Sequence, residues 1–451
     1  MRRFGGSAAL TVALRSLAVL CVVLLAVLPT GCAGGATRSD ASIRPAGAGA
    51  VTITVPGDAP TISAAVAAAE PGDLVLVGPG TYRETVQITT DGITLRGTDR
   101  ARVVIDGEVI RPNGVVVRSA GVTVQNLTVR HALLNGVLVT GLPGDGGGSG
   151  YARPDLARFP LLAGFHIDHV TSYNNGLYGI YAFHARDGLI ENSYTSGMAD
   201  SGIYVGQCKP CGIVVRSNVS ERNAVGYEGT NASENMVVVG NRFAGNRVGA
   251  TISSDHQEAF TPQQGSVLAG NVIAANNQRD SPEQADGGFG LGLGIAGGTK
   301  NTVARNLVTG NSRAGMVITS AADFAPLGNQ IRHNTLIDNG VDIAYTPNRD
   351  APGQGNCYAD NRFSTTFPDR LLAGARCPAA QGIGAAAGPA TGPAPPGIPF
   401  TDVPPPPVQP GLPDVRTIPP RWTADRLDPP GIDTVALPGA DLLEHLSAIS
   451  W

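Results

Sequence analysis

Between residues 178 and 260, hydroxyl, carboxyl and imidazole groups recur at a nearly fixed offset from a glycine. Two residues after Gly179, Gly202, Gly226 and Gly249 stand Tyr181, Tyr204, Glu228 and Thr251. Five residues after the same glycines stand His184, Gln207, Asn231 and Ser254. Asp200 precedes Gly202, and Asp255, His256 and Glu258 follow the last segment directly. Side chains alternate along a strand, so the second position after the glycine reads as outward. The first position (Val137, Ile180, Ile203, Tyr227, Ala250, Met316, Val341) reads as inward. Aromatic rings beside amides and carboxyls suit a carbohydrate chain, whose C–H faces pack on rings while its hydroxyls find partners. On that surface Tyr181, Asp200, Gln207, Asn231, Asp255 and Glu258 are candidate binding residues, and His184, Tyr204, Glu228 and His256 candidate catalytic ones. Removing the C5 proton of a uronate, as a lyase or epimerase does, needs a base (His184 or His256), an acid (Tyr204) and a carboxylate neutraliser such as Ca²⁺. Hydrolysis needs two carboxyls instead, Asp200 with Glu228 or Asp255 with Glu258. Tyr and polar columns are also ordinary on a solvent-facing sheet. The sequence therefore favours a carbohydrate-binding surface, with a lyase, epimerase or hydrolase as the alternative.

The elements that must hold these columns are legible from a second pattern. Eight times a marked residue is followed five positions later by another. The first members are Asn126, His169, Asn192, Asn218, Asn241, Asn271, Asn306 and Asn334, and the second are His131, Asn174, Gly197, Asn223, Asn246, Asn276, Asn311 and Asn339. First-position spacings of 43, 23, 26, 23, 30, 35 and 28 read as a coil of roughly 23 residues with insertions. So short a coil cannot bury its own apolar face and must stack on its neighbours. Stacked Asn residues can turn a tight corner and hydrogen-bond up and down their column. His131 and His169 then read as substitutes for Asn in that ladder, and His333 as an ordinary coil residue. An antiparallel sandwich would show strands at about 8–12-residue intervals, which this frame does not.

The ends bound the rest. Residues 1–31, with a basic start and an apolar run from Leu17 to Leu28, read as an export signal, the run being short for a membrane span. Leu28-Pro-Thr-Gly-Cys32 resembles a bacterial lipobox, which implies acylation of Cys32, although Pro29 stands where a large aliphatic residue is usual. Residues 32–50 read as a flexible tether, 51–378 as the solenoid body, and 379–451 as a Pro/Gly/Ala-rich extended tail. Pro60 to Ala69 reads as a short helix capping the first coil. Insertions are expected at 141–163, 253–265 and 278–293. Cys208/Cys211 and Cys357/Cys377 are expected as disulfides of an exported protein, the longer loop contributing about 3 kcal/mol. A redox role for Cys208-Lys-Pro-Cys211 lacks the surrounding βαβ pattern. With 32 Lys+Arg against 36 Asp+Glu and no basic stripe, nucleic acid is not an expected partner.

Asp73-Leu-Val-Leu-Val-Gly-Pro-Gly-Thr-Tyr-Arg-Glu84, followed by the Asn-x4-Asn coils, resembles the right-handed parallel β-helix superfamily of pectin-lyase-like proteins over roughly residues 51–378. Asp200-Ser-Gly-Ile-Tyr-Val-Gly-Gln207 is similar to a stretch in bacterial parallel β-helix repeat lipoproteins. The resemblance implies an all-β solenoid of about ten coils but no single activity, because the fold hosts many. Polygalacturonase Asn-Thr-Asp and Gly-His-Gly motifs are absent, and acidic residues are too scattered for a metal cluster to be read. The expectation is a monomeric envelope protein, lipid-anchored outside the cytoplasmic membrane or secreted, without a cofactor, whose partner is an envelope or extracellular polysaccharide.

Overall fold

The computed structural model describes residues 49–144, 154–369, 371, 377 and 392–450. The export signal, Cys32, most of the tether and most of the glycine-rich run at 141–150 lie outside the described residues. The described chain is a stack of parallel strands one coil apart. One stack holds eleven strands and the other, taking up two strands per coil, holds twenty. The register of the eleven-strand stack follows the inward column of the sequence: Val137, Ile180, Ile203, Tyr227, Ala250, Leu293, Met316 and Ile343 lie level with one another. All eight are buried in the single main core. Two terms of this column differ from expectation. Leu293 fills the coil hidden by the 278–293 insertion, and Ile343 replaces Val341 because the Gly340-Val341-Asp342 corner takes two further residues before its strand.

The Asn columns form, with a shifted start. Asn218, Asn241, Asn271, Asn306, Asn334 and Asn361 make one ladder, each amide donating to the next carbonyl at 2.9–3.0 Å. Asn223, Asn246, Asn276, Asn311 and Asn339 make a second at 2.9–3.2 Å. Upstream, the rungs of the first ladder are Val170 and Ser193, and those of the second Asn175 and Met198. Asn126, His169, Asn192, His131, Asn174 and Gly197 sit one residue earlier, with φ between 50° and 72°. They turn the corner rather than form rungs. Asn serves both purposes, so spacing alone cannot separate two adjacent positions. His333, with φ 57°, holds the same corner position as His169. A third ladder, Gln263–Asn301–Asn329–Asn356, has no counterpart in the sequence reading.

Other elements follow local chemistry. The helix Ile62–Ala68 is N-capped by Thr61, its Ile62 and Ser63 amides donate to Glu84, and Ile62, Ala65 and Val66 are buried against the first strands. Cys208–Cys211 and Cys357–Cys377 are disulfides with Cα atoms 4.8 and 4.9 Å apart. The described tail, 392–450, lies along the flank of the twenty-strand sheet without strands of its own. Arg247, Asn174, Arg100 and Arg96 donate in turn to the carbonyls of Pro395, Val403, Pro410 and Val415. Trp422 then stacks on His166 at 4.6 Å, and Arg242 holds the carbonyl of Ala440. The tail thus runs toward the first coils and returns. Its prolines offer no N–H, so side chains of the solenoid bind its carbonyls instead of a strand ladder.

Candidate functional site

The outward column of the eleven-strand stack runs Leu138, Tyr181, Tyr204, Glu228, Thr251, Gly294. Side-chain bulk falls away after Glu228, and a hollow of about 550 Å³ opens there. Tyr178, Tyr181 and Tyr204 form its aromatic end. Asp200 and Glu228 lie on its floor, and Asp255, Glu258 and Asp286 come from the two inserted loops. Tyr178 caps the other two rings at 4.4 and 4.7 Å, and Tyr181 meets Tyr204 edge-on at 5.1 Å. Tyr181 and Tyr204 are buried in a cluster with Val116, Leu138 and Phe183, so Tyr178 is the more open ring. Tyr181 and Tyr204, expected on an open face, are therefore covered, because the aromatic column packs against itself.

Loop 254–265 is fixed by residues that the sequence offered as ligand contacts. The Asn231 amide donates to the carbonyl of Asp255 at 2.7 Å, and its oxygen accepts the Asp255 N–H at 3.1 Å. The Gln207 oxygen accepts the Ala259 N–H at 2.8 Å. His184, Gln207 and Asn231 all have positive φ, at 58°, 51° and 44°, and are fully buried at a corner. His184 Nε2 lies 2.8 Å from the Phe159 carbonyl, and its Nδ1 lies 3.2 Å from the Gln207 amide. An imidazole that donates through Nε2 and accepts at Nδ1 is neutral, and burial lowers its pKa. His184 is thus a corner residue tying two loops, outside the hollow. His256 is also outside it: the ring is exposed, pairs with Asp323 and lies 4.3 Å from Phe324. Of the four candidate catalytic residues, Tyr204 and Glu228 meet in the hollow and the two histidines do not.

What converges is a carboxyl cluster. The Ser201 hydroxyl lies 2.9 Å from Asp200 and 2.8 Å from Glu228. One hydroxyl has one proton, so both contacts are satisfied together when a protonated carboxyl donates to Ser201 and Ser201 donates to the other. Glu228 also accepts from Thr230 at 3.0 Å. Burial and the charge of Asp200 push Glu228 up to about 8, while burial pushes Asp200 to about 6. Glu258, only 7% exposed, is raised well above the carboxylate range, first by burial. Tyr204 donates to its Oε1. Its Oε2 makes no well-formed hydrogen bond, with the Gln207 N–H in the vicinity. Among the described residues, no Lys, Arg or His lines the hollow.

A second cluster joins the coils where none was expected. His166, Asp168 and Glu191 present one ligand atom each within 4.8 Å of one another. Those atoms are already engaged: His166 Nε2 with Glu191 at 2.9 Å, Glu191 with Arg216 at 2.8 Å, and Asp168 with His169, Asn192 and Gln125. The geometry is that of an ion-pair network beneath Trp422. Sequence spacing missed it because its members come from successive coils.

The family model described as right handed beta helix region matches residues 91–257 and 162–336. No curated protein matches the chain. Among solved structures, the chain is similar to the Azotobacter vinelandii mannuronan C-5 epimerase AlgE6 A-module, at 14% identity over 68% of this chain and 92% of that one, TM-score 0.45. It is similar to the AlgE4 A-module of the same organism at 13% identity, covering 66% and 88%, TM-score 0.43. Pectate lyase Pel9A gives 16% identity, 67% and 72% coverage and a TM-score of 0.35.

Proposed function

The chain belongs to the right-handed β-helix family, and on that scaffold we propose that the hollow binds a carbohydrate chain and cleaves it by glycoside hydrolysis. The observation that carries this reading is the Asp200–Ser201–Glu228 bridge, in which two carboxyls share one hydroxyl and burial pushes both upward, Glu228 further because the charge of Asp200 adds to it. Environments that separate two carboxyl pKa values assign an acid and a base. At neutral pH Glu228 holds a proton for the leaving glycosidic oxygen, and Asp200 is ionised beside it. Carboxyls bridged by one hydroxyl are closer than the roughly 6.5–9.5 Å of inverting sites and suit the shorter retaining geometry. Asp200 then attacks the anomeric carbon as the C–O bond breaks, and water later releases the sugar, giving its proton to Glu228. A uronate lyase or epimerase fits less well, because among the described residues no cationic side chain lines the hollow to neutralise a carboxylate.

The proposed setting is the outer side of the cytoplasmic membrane, through the export signal and acylated Cys32, with the chain acting as a monomer. The test is the full chain against a polysaccharide panel, reading new reducing ends and unsaturated products separately. Reducing ends without unsaturated products, lost in Asp200→Asn and Glu228→Gln, are expected. Unsaturated products, or full cleavage by both variants, sink the hydrolytic mechanism. Binding without any cleavage leaves a carbohydrate-binding surface.

A further inference from the structure

The inserted loop that brings Asp286 to the hollow is held from two sides. Its turn is built around Gln284, whose side-chain oxygen accepts the Asp286 N–H at 2.9 Å and the Gly288 N–H at 2.8 Å. That turn presents Asp286 at the rim of the hollow. The other limb of the loop is clasped by the start of the tail. The Ser281 carbonyl accepts the Ile398 N–H at 3.1 Å, and a carboxyl oxygen of Glu283 accepts the Gly397 N–H at 2.8 Å. Arg247, 1% exposed, donates to the carbonyl of Arg279 in the loop at 3.3 Å and to that of Pro395 in the tail at 2.7 Å. Its guanidinium also lies 5.4 Å from the centre of the Phe289 ring at the loop's end. The backbone of the tail is fitted to this place. A Cβ on Gly397 would lie 2.6 Å from the Ser281 oxygen, 2.7 Å from the Glu283 nitrogen and 2.9 Å from the Arg247 guanidinium. Two of those neighbours are backbone and cannot swing aside, so a residue without a Cβ is needed for so close an approach. Gly392, in the same segment, has open space where its Cβ would stand.

We propose that Gly397 and Arg247 are positioning residues of the hollow read above as the glycan site: tail segment 392–398 clamps the 279–289 loop and so sets where Asp286 stands. Docking of the tail and shape of the hollow's rim are then coupled, and detaching this segment frees the loop without unfolding the coils. The consequence for the site runs through charge. The titratable groups around Glu228 are Asp200, Glu258, Asp286 and the phenols of Tyr178, Tyr204 and Tyr227. Of these, Asp286 stands on the tail-held loop, and its charge adds to burial and to Asp200 in raising Glu228. Withdrawing Asp286 therefore moves Glu228 back toward the ordinary carboxylate range.

The experiment compares full-length wild type with Gly397→Ala, Gly392→Ala, Asp286→Asn and the Gly397→Ala/Asp286→Asn double variant. Hydrogen exchange followed by mass spectrometry reads the loop. The ¹³C titration of the Glu228 carboxyl, assigned by its loss in Glu228→Gln, reads the hollow without a substrate. Gly397→Ala is expected to speed exchange in the 279–289 loop by about ten-fold and to move the Glu228 titration downward, as Asp286→Asn does alone. Gly392→Ala should match wild type in both readouts, and the double variant should titrate like Asp286→Asn. Unchanged loop exchange in Gly397→Ala overturns the clamp. Faster exchange with an unmoved Glu228 titration overturns the positioning role and makes the tail a structural tie. Glu283→Ala, an exposed change that removes the acceptor of the Gly397 N–H, is expected to speed loop exchange likewise and decides the clamp if Gly397→Ala does not fold. Neither readout depends on cleavage, so a polysaccharide panel without products sinks the hydrolytic reading alone.

Discussion

Two outward faces of one solenoid carry the same residue types and treat their charges in opposite ways. Under the tail, Arg96, Gln125, Asp168, Glu191 and Arg216 lie level in one column. There acids stand beside bases at the strand spacing of about 4.8 Å. Burial raises the Asp168 carboxyl, but the His169 hydrogen bond and the His166 charge hold it below the usual range. Burial acts likewise on Glu191 and is outweighed by His166 and Arg216. On the other face, Asp200, Glu228 and Glu258 are buried with no cation among the described lining residues, and all three are raised. A paired network serves the fold, whereas an uncompensated one costs stability. Trp422 closes the first face, and the second stays open.

The largest test of this contrast is catalytic. Glu228→Gln and Asp200→Asn are each expected to lower hydrolysis by roughly 10²–10⁴-fold while leaving the urea midpoint unchanged or higher. A fall in midpoint with cleavage intact would move the pocket acids into the structural class. On the paired face the expectation reverses: Asp168→Asn is expected to destabilise by about 2–3 kcal/mol, the worth of a charged hydrogen-bonded group, with cleavage preserved. Equal stability of that variant in urea unfolding would break the comparison from its other side.

Trp422→Ala is expected to cost about 1–2 kcal/mol, less than a core aromatic because the ring packs in a small satellite cluster. Limited proteolysis should then cut the tail before the solenoid. An unchanged cleavage pattern would show that the hydrogen bonds from Arg96, Arg100 and Arg242 hold the tail without Trp422.

The smallest expected effect is the pH slope. The folded pocket retains protons that the unfolded chain loses near pH 4, so it binds more protons than the unfolded state up to about pH 8. Its contribution therefore lowers stability as pH rises through that window. Asp168 and Glu191 have lowered values, so their contribution is present above the ordinary carboxylate range and lost as pH falls below it. Urea midpoints at pH 5 and pH 8 should differ less in the Asp200→Asn/Glu228→Gln double variant than in wild type. Identical differences would place the proton uptake elsewhere.

Much of the shaft was legible in the sequence. Stacking repeats the same local demand in every coil, so Asn, Gly and alternating Val and Ile recur at readable intervals. The one-residue slip at Asn126, His169 and Asn192 arose because a left-handed corner and a ladder rung accept the same residue. That Tyr204, Glu228 and Asp200 share one sheet face was legible because they break the repeat where it should be apolar or small. His184, Gln207 and Asn231 broke it too, but as loop ties, and no spacing distinguishes a tie from a ligand contact.

By itself, then, the sequence determined the coil, its inward column and the sheet face that carries the carboxyls, since each depends on neighbours at a fixed chain offset. Tertiary structure alone decided which of those groups meet. Glu258 reaches Tyr204 across 54 residues, and Trp422 reaches His166 from a tail with no repeat of its own. A carboxyl's proton affinity depends on what surrounds it in space. Whether an acid in this chain is paired or left without a counter-charge was settled only when the loops and the tail folded back onto the coils.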